Sequence, residues 1–323
     1  MNEQNKTISI APMMDWTDRH CRYFHRLLAP SVTLYTEMVT ANALIHGDVD
    51  RHLRFNESEH PVVLQLGGSE AEKLTEAIKL SEAYGYDEYN LNCGCPSDRV
   101  QSGAFGACLM AEPKAVAECI AAMKKATDKP VTIKCRIGID DANEETMLRD
   151  FISTNADAGC KTFIIHARKA WLNGLSPKEN RDIPPLNYDL VRAIKDETPH
   201  LNIQLNGGIT DINQMKDFLP DYDGLMIGRA AYHSPRLLVD IEREFYNSDW
   251  KVNDEEIIQK MITYANDQHD TYGTPIKTAT KHMVNFYQGV TGARKWRQTI
   301  SEKAHLVEKA EDVLIPALKM LKK

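Results

Sequence analysis

The chain has 323 residues, enough for one large domain and a smaller one. Its apolar content of 42% is ordinary for a soluble globular protein, and no apolar run is long enough to span a bilayer. The formal net charge of −7 argues against a uniformly basic nucleic-acid binder. Residues 1–6 are polar and lack the apolar core of a signal peptide. The seven cysteines, an odd number scattered along the chain, read as free thiols of a reducing cytoplasm. Their one close pair, Cys93 and Cys95, has no second pair or nearby histidines at zinc-site spacing, so no metal is expected.

Short β-rich runs recur at 8–12, 34–39, 62–66, 88–92, 131–136, 162–166, 203–206 and 224–227. Amphipathic helical patterns separate most of them, at 71–84, 114–126, 144–158, 187–197 and 211–218. The strand runs are nearly continuous in apolar residues, as expected of strands buried on both faces of a parallel sheet. Eight such units predict an α/β fold, a (β/α)8 TIM barrel. An open doubly wound sheet would carry Gly-x-Gly-x-x-Gly after its first strand, and the chain contains no Gly-x-Gly. Beyond residue 240 the strand signal stops. Helical patterns at 255–268, 278–287, 292–304 and 306–321 predict a small C-terminal helical bundle, so the domains expected are 1–240 and 241–323.

A barrel collects its chemistry at the C-terminal ends of its strands. Those ends carry Pro12, Met13 and Met14 after the first run and Gln65 in the third. The fourth run breaks into a Gly/Pro turn bearing Asn92 and Cys95, a placement suited to a reactive thiol. The fifth carries Lys134 and Arg136, and the sixth ends in His166. Lys134 is either a buried ion pair or a fixed cation beside a ligand that gains negative charge. His166 is either a satisfied core histidine or a ligand contact. The seventh run ends in Asn206, Gly207 and Gly208, the eighth in Gly228 and Arg229. Paired glycines allow close backbone approach and a guanidinium suits phosphate, so a phosphorylated ligand is expected after the last two strands.

The residues 11–18 (Ala-Pro-Met-Met-Asp-Trp-Thr-Asp), 90–97 (Asn-Leu-Asn-Cys-Gly-Cys-Pro-Ser), Lys134, His166-Ala167-Arg168, Asn206-Gly207-Gly208-Ile209 and Gly228-Arg229-Ala230-Ala231 together resemble the tRNA-dihydrouridine synthases. The runs 19–24 and 168–181 resemble the bacterial DusA subfamily in particular. This resemblance covers nearly the whole chain. It implies FMN-dependent reduction of uridine to 5,6-dihydrouridine in the D-loop of tRNA, at positions 20 and 20a. NADPH reduces the flavin, a hydride passes to uracil C6, and a cysteine protonates C5. Cys95 matches that cysteine, whereas Cys93 packs. By the same matching, FMN is held by Pro12, Met13, Met14, Gln65, Lys134, His166, Asn206, Gly207, Gly208, Gly228 and Arg229. Asn92 positions the flavin or the target uracil.

The tRNA reading must meet the acidic total. Residues 271–303 hold six basic residues (Lys277, Lys281, Arg294, Lys295, Arg297, Lys303) against one acid, Glu302, with Tyr272, Phe286, Tyr287 and Trp296 interleaved. A local basic surface binds phosphates whatever the total charge. The resemblance matches Asn92, Arg294 and Arg297 to tRNA-binding positions, along with Lys178 and Arg181 in the long connection at about 169–186. It implies no protein partner and no membrane. Two rival readings remain: a flavin barrel acting on a free pyrimidine, and a non-catalytic RNA-binding module. The basic helical region counts against the first, and the retained Cys95, Lys134, His166 and Arg229 against the second.

Overall fold

The computed structural model describes residues 6–97 and 103–321. Within them the strands are β1 (Thr7–Ile10), β2 (Thr33–Tyr35), β3 (Val39–Thr40), β4 (Val62–Gly67), β5 (Glu88–Cys93), β6 (Val131–Arg136), β7 (Thr162–His166), β8 (Asn202–Asn206) and β9 (Gly224–Ile227). All their pairings are parallel, and eight of the strands close on themselves in the order β1-β2-β4-β5-β6-β7-β8-β9. Closure rests on two registers, Leu34 beside Val62 and Thr7 beside Gly224. This is the expected TIM barrel, with helices between its strands.

β3 is a two-residue addition that pairs with β4 through Val39 and Leu66. The expected run 34–39 is therefore two strands with a break. The cause is the Thr36 side chain, whose hydroxyl accepts the Gln65 N–H at 3.0 Å and donates to the Glu37 carbonyl at 2.6 Å. A side-chain oxygen has replaced a ladder carbonyl, and the chain leaves the sheet there.

Contact between elements divides the chain into two units. The first comprises residues 1–14, 33–209 and 213–228 and is the barrel. Every residue of β4 is buried, as the unbroken apolar run required. The helix Ala71–Ser81 buries Leu74, Ala77, Ile78 and Ser81, a stripe at helical spacing. Pro113 opens the helix Pro113–Ala126, where a missing N–H costs nothing. Asn143 caps Glu144–Asp157 by accepting the Thr146 N–H at 3.0 Å.

The second unit comprises residues 15–32, 210–212 and 229–323 and is helical. Its edge at Arg229 lies earlier than residue 241, and it also takes in a segment from the start of the chain. Arg19–Leu28 is a helix with buried Cys21, Phe24, His25 and Leu28 on one face. Sequence reading missed it because histidine and cysteine occupy part of the stripe that leucine usually fills. Asp18 caps it, accepting the His20 and Cys21 N–H groups at 3.0 and 2.9 Å. Phe24 meets Phe286 edge-on at 5.4 Å, and Trp250 Nε1 donates to the Leu28 carbonyl at 2.9 Å. Ser31 donates through N–H and hydroxyl to Glu242, on the helix Arg236–Phe245. These bonds explain why residues 229–245 group with the helices.

The C-terminal helices are Asp254–Tyr272, Ile276–Thr280, Ala293–Lys303 and Glu311–Lys319. The expected helix over 278–287 stops at Thr280 and continues as a 3-10 turn, Lys281–Met283. The Met283 carbonyl accepts Phe286 N–H and Trp296 Nε1, both at 2.9 Å, in place of a helical partner. Phe286, Tyr287 and Trp296 are buried and Tyr272 is exposed, so three of the four interleaved aromatics build the core of this unit.

Candidate active site

The thiol turn grows directly out of β5. Asn92 is buried on that strand, and its Oδ1 accepts the backbone N–H of Gly94 at 3.1 Å and of Cys95 at 3.0 Å. One side-chain carbonyl thus folds the chain back just after the strand, an Asx turn. Cys95 stays partly accessible, with Sγ 3.5 Å from Ser97 Oγ. Cys93 is fully buried opposite Cys135 on β6, and burial pushes its thiol well above the usual range. It is a packing residue without access to a ligand, and Cys95 is the thiol presented at the strand end.

Asn92 is in turn held from within the barrel. Its Nδ2 donates to Gln65 Oε1 at 2.8 Å, and Gln65 Nε2 donates to Asn90 Oδ1 at 2.8 Å. Gln65 and Asn90 are almost completely buried, and these bonds remove the penalty of placing amides in a barrel core.

Lys134 on β6 donates from Nζ to Asn206 Oδ1 at 3.0 Å, and Asn206 Nδ2 donates to the Met226 carbonyl at 2.7 Å. Burial, then the charge of Arg136, push the ammonium down to about 8. The hydrogen-bond partner of Lys134 is thus a neutral amide, so an electron-rich ligand here gains a poorly solvated cation. Asn206 lies beside His166 in the β7–β8 register. The imidazole of His166 is held neutral, well below its ordinary value, by burial and then by Arg136, Lys134, Arg168 and Arg181. Four cations act on one ring, so the strand ends of β6 and β7 carry a positive field despite the acidic total.

Gly207 and Gly208 follow with φ of 111° and 72°, a region that favours glycine. A Cβ at 207 would stand 2.7 Å from His166 Cδ2, and one at 208 would stand 2.5 Å from the Tyr188 hydroxyl. Tyr188 donates to the Gly207 carbonyl at 2.9 Å, which fixes the turn. Gly228 follows β9 in open space, where a Cβ would meet nothing nearer than Ala11 Cβ at 4.0 Å. Pro12 and Met13 are half-buried after β1, and Met14 is exposed. Gln65, Asn92, Lys134, His166 and Asn206–Gly208 are brought together in the barrel unit by hydrogen bonds, strand register or electrostatics. Arg229 opens the helix Arg229–His233 of the other unit.

The connection after β7 is long but ordered by one buried side chain. Asn180 donates to the carbonyls of Trp171 and Leu175 at 2.8 and 3.1 Å and accepts the Trp171 N–H at 2.7 Å. Lys178 and Arg181, on either side, are exposed. Sequence reading left Asn180 and Arg136 without a role. Arg136 is buried and donates to the carbonyls of Gly94, Lys169 and Asn180, each at 2.9 Å. It ties the Cys95 turn to the long connection. An arginine closing an apolar strand run, two residues after Lys134, was the available signal. Arg294 and Arg297 are exposed on the helix Ala293–Lys303, with Trp296 buried between them.

The fold is a TIM barrel whose strand ends carry a partly accessible thiol, a histidine held neutral and a poorly solvated lysine. Residues 9–322 match the family model of dihydrouridine synthase (Dus), and the chain belongs to that family. It is 52% identical to the tRNA-dihydrouridine(20/20a) synthase of Vibrio parahaemolyticus over 318 residues, covering 98% of this chain and 97% of that protein. It is 51% identical to the enzyme of the same name from Escherichia coli K12 over 315 residues, covering 97% and 91%. The Shewanella oneidensis protein of that name is 52% identical over 302 residues, covering 93% and 90%.

Proposed function

We propose that this protein reduces uridine to 5,6-dihydrouridine in tRNA, at positions 20 and 20a as the names of its relatives state, with FMN as cofactor and NADPH as electron donor. The observation that carries the reading is Cys95, presented by Asn92 at the end of β5 in a chain that matches the family over nearly its full length. The residues fit an anionic flavin nucleotide. Gly207 and Gly208 form a cradle that a Cβ would fill, Gly228 leaves open backbone, and Lys134 is a poorly solvated cation with an amide partner. FMN would be held by Pro12, Met13, Met14, Gln65, Lys134, His166, Asn206, Gly207, Gly208, Gly228 and Arg229. When bound, the reduced cofactor supplies the hydride that uracil C6 accepts.

The chain's own groups do the rest. Cys95, as general acid, gives its proton to C5 while C6 receives the hydride. The C5=C6 double bond becomes a single bond, and solvent reprotonates the thiolate. Lys134 stabilises negative charge that develops beside it. His166, held neutral, adds no competing positive charge and can hydrogen-bond a ligand oxygen or nitrogen. The target base must leave its stack to reach a barrel mouth. Asn92 would steady that base, and Lys178, Arg181, Arg294 and Arg297 would contact tRNA phosphates. Among the described residues no helix is long and apolar enough to cross a membrane, and we place the protein in the cytoplasm, where tRNA is modified.

The test is Cys95→Ala. The variant binds FMN and accepts electrons from NADPH, yet its dihydrouridine yield, read by mass spectrometry of tRNA nucleosides, falls at least 100-fold. Near-normal yield overturns the assignment of the acid.

A further inference from the structure

Six side chains of the barrel form one unbroken hydrogen-bonded line. It starts at the Gly94 and Cys95 N–H groups, which both donate to Asn92 Oδ1. Asn92 Nδ2 donates to Gln65 Oε1, Gln65 Nε2 to Asn90 Oδ1, and Asn90 Nδ2 to Thr132 Oγ1 at 2.9 Å. Thr132 Oγ1 then donates to Glu88 Oε1 at 2.6 Å, and the Tyr35 hydroxyl donates to the same oxygen at 3.2 Å. Every donor in the line points the same way, from the thiol turn towards the carboxylate.

That direction is dictated from the thiol turn. Backbone N–H groups only donate, so Asn92 must offer them its carbonyl oxygen. Its amide nitrogen then faces Gln65, and each later amide is forced in turn. At the far end Glu88 Oε1 accepts from both the Thr132 and Tyr35 hydroxyls; burial pushes the Glu88 carboxyl up to about 7, and in its ionised form it only accepts, so the Thr132 hydrogen then points at it. The hydroxyl oxygen is left to receive Asn90. Reversing any one amide would set donor against donor or oxygen against oxygen at two links. Bonds that polarise one another in a low-dielectric interior strengthen together.

We propose that Glu88, Thr132 and Asn90 are positioning residues for the reaction, acting through Gln65 and Asn92 to fix the turn that carries Cys95. Glu88 opens β5 and Cys95 lies two residues beyond its end, so the line runs the length of the strand. Neither Glu88 nor Thr132 belongs to the proposed FMN or tRNA contacts. This role rests on Cys95 being the acid.

The test uses the full-length protein and two readouts. One is the rate at which iodoacetamide labels Cys95 in the cofactor-free protein, followed by peptide mass, with the half-exposed Cys108 as internal reference. The other is dihydrouridine formation by the FMN-loaded enzyme. Thr132→Val removes the hydroxyl at near-constant shape, and Thr132→Ser restores it. Expected for Thr132→Val is a change of at least threefold in Cys95 labelling relative to Cys108, with turnover lowered about tenfold, and both readouts within twofold of the parent for Thr132→Ser. Glu88→Met shifts both readouts in the same direction, and the Glu88→Met/Thr132→Val pair is no worse than its worse member. Unchanged relative labelling in Thr132→Val, an equal shift at Cys108, failure of Thr132→Ser to restore the parent values, or multiplicative effects in the pair would each overturn the proposal. Cys95→Ala, run in parallel, separates the two readings. Normal turnover there sinks the assigned acid, while the labelling result still decides whether the line positions residue 95.

Discussion

A Cβ on Gly207 would stand 2.7 Å from Cδ2 of His166, so the His166 ring and the residue 207 backbone share space that only glycine leaves free. Gly207→Ala therefore collides with the imidazole and also forces an alanine to φ 111°. The conformational strain alone is about 1–3 kcal/mol. FMN affinity should drop roughly tenfold or more, since 1.4 kcal/mol is a factor of ten. Titration of cofactor-free protein by flavin fluorescence measures it, and parent-like affinity would remove Gly207 from the cofactor site.

Lys134 gives the site a distinctive pH dependence. Burial and Arg136 lower its folded value to about 8 from an ordinary 10.5. An anionic ligand beside Nζ pulls that value back up, so above pH 8 binding must take up a proton. FMN affinity should weaken as pH rises through 8, by up to about tenfold per unit. Lys134→Met should bind more weakly at pH 7 and lose that slope. A parallel slope in parent and variant would place the titrating group elsewhere.

Acid should destabilise the fold early. Burial holds His20 near 4 and His25 near 3, outweighing the Asp18 carboxylate, and His166 sits well below 6.5. The unfolded chain protonates all three near 6.5, whereas the folded chain resists. Their stabilising contribution is complete above 6.5 and is lost as pH falls towards the folded values. The loss is about 1.4 kcal/mol per pH unit per histidine. Burial raises the Asp18 carboxyl, but its neighbours, His282 first, outweigh it and keep it well below the usual carboxylate range, so Asp18 adds no slope in this window. Urea unfolding at pH 7.5, 6.5 and 5.5 reads the slope. Stability that stays level below 6.5 would show that these rings titrate normally.

Much of this was legible in the sequence because two-sided burial leaves a coarse signature. Runs such as 131–136 and 162–166 match their strands residue for residue, and they carry Lys134 and His166, two of the residues proposed for the site. The break at Thr36 was illegible, since it depends on a hydroxyl meeting Gln65, a residue 29 positions away. The helix Arg19–Leu28 hid for a related reason: His20, Cys21 and His25 are buried by partners such as Tyr264, 2.9 Å from His20 Nδ1, that pattern alone does not supply. Arg136 and Asn180 went unassigned because their acceptors are backbone carbonyls, which leave no mark in a sequence.

Arg294 and Arg297 project from a helix whose other face is anchored by buried Trp296. Replacing both by alanine should leave the fold and flavin reduction intact and weaken tRNA binding. Each phosphate contact contributes a little under one unit to the slope of log affinity against log salt. The double variant should flatten that slope by about one to two units. Equal affinity at every salt concentration would remove this helix face from the tRNA footprint.

Arg136 invites the most discriminating substitution. Its guanidinium reaches three carbonyls, on Gly94, Lys169 and Asn180, and so joins the Cys95 turn to the connection that carries Lys178 and Arg181. A lysine keeps the charge but is a point donor without the fork, so Arg136→Lys leaves at least one buried carbonyl unpaired. An unpaired buried polar group costs about 1–3 kcal/mol. Freed at one end, the turn and the connection each lose a fixed position. The expected outcome is a lower kcat, from the displaced Cys95, together with a higher KM for tRNA, from displaced Lys178 and Arg181. Flavin reduction by NADPH, which needs neither loop in place, should change far less. A variant that alters flavin reduction as much as tRNA turnover would show that Arg136 serves the cofactor site instead of joining the two loops.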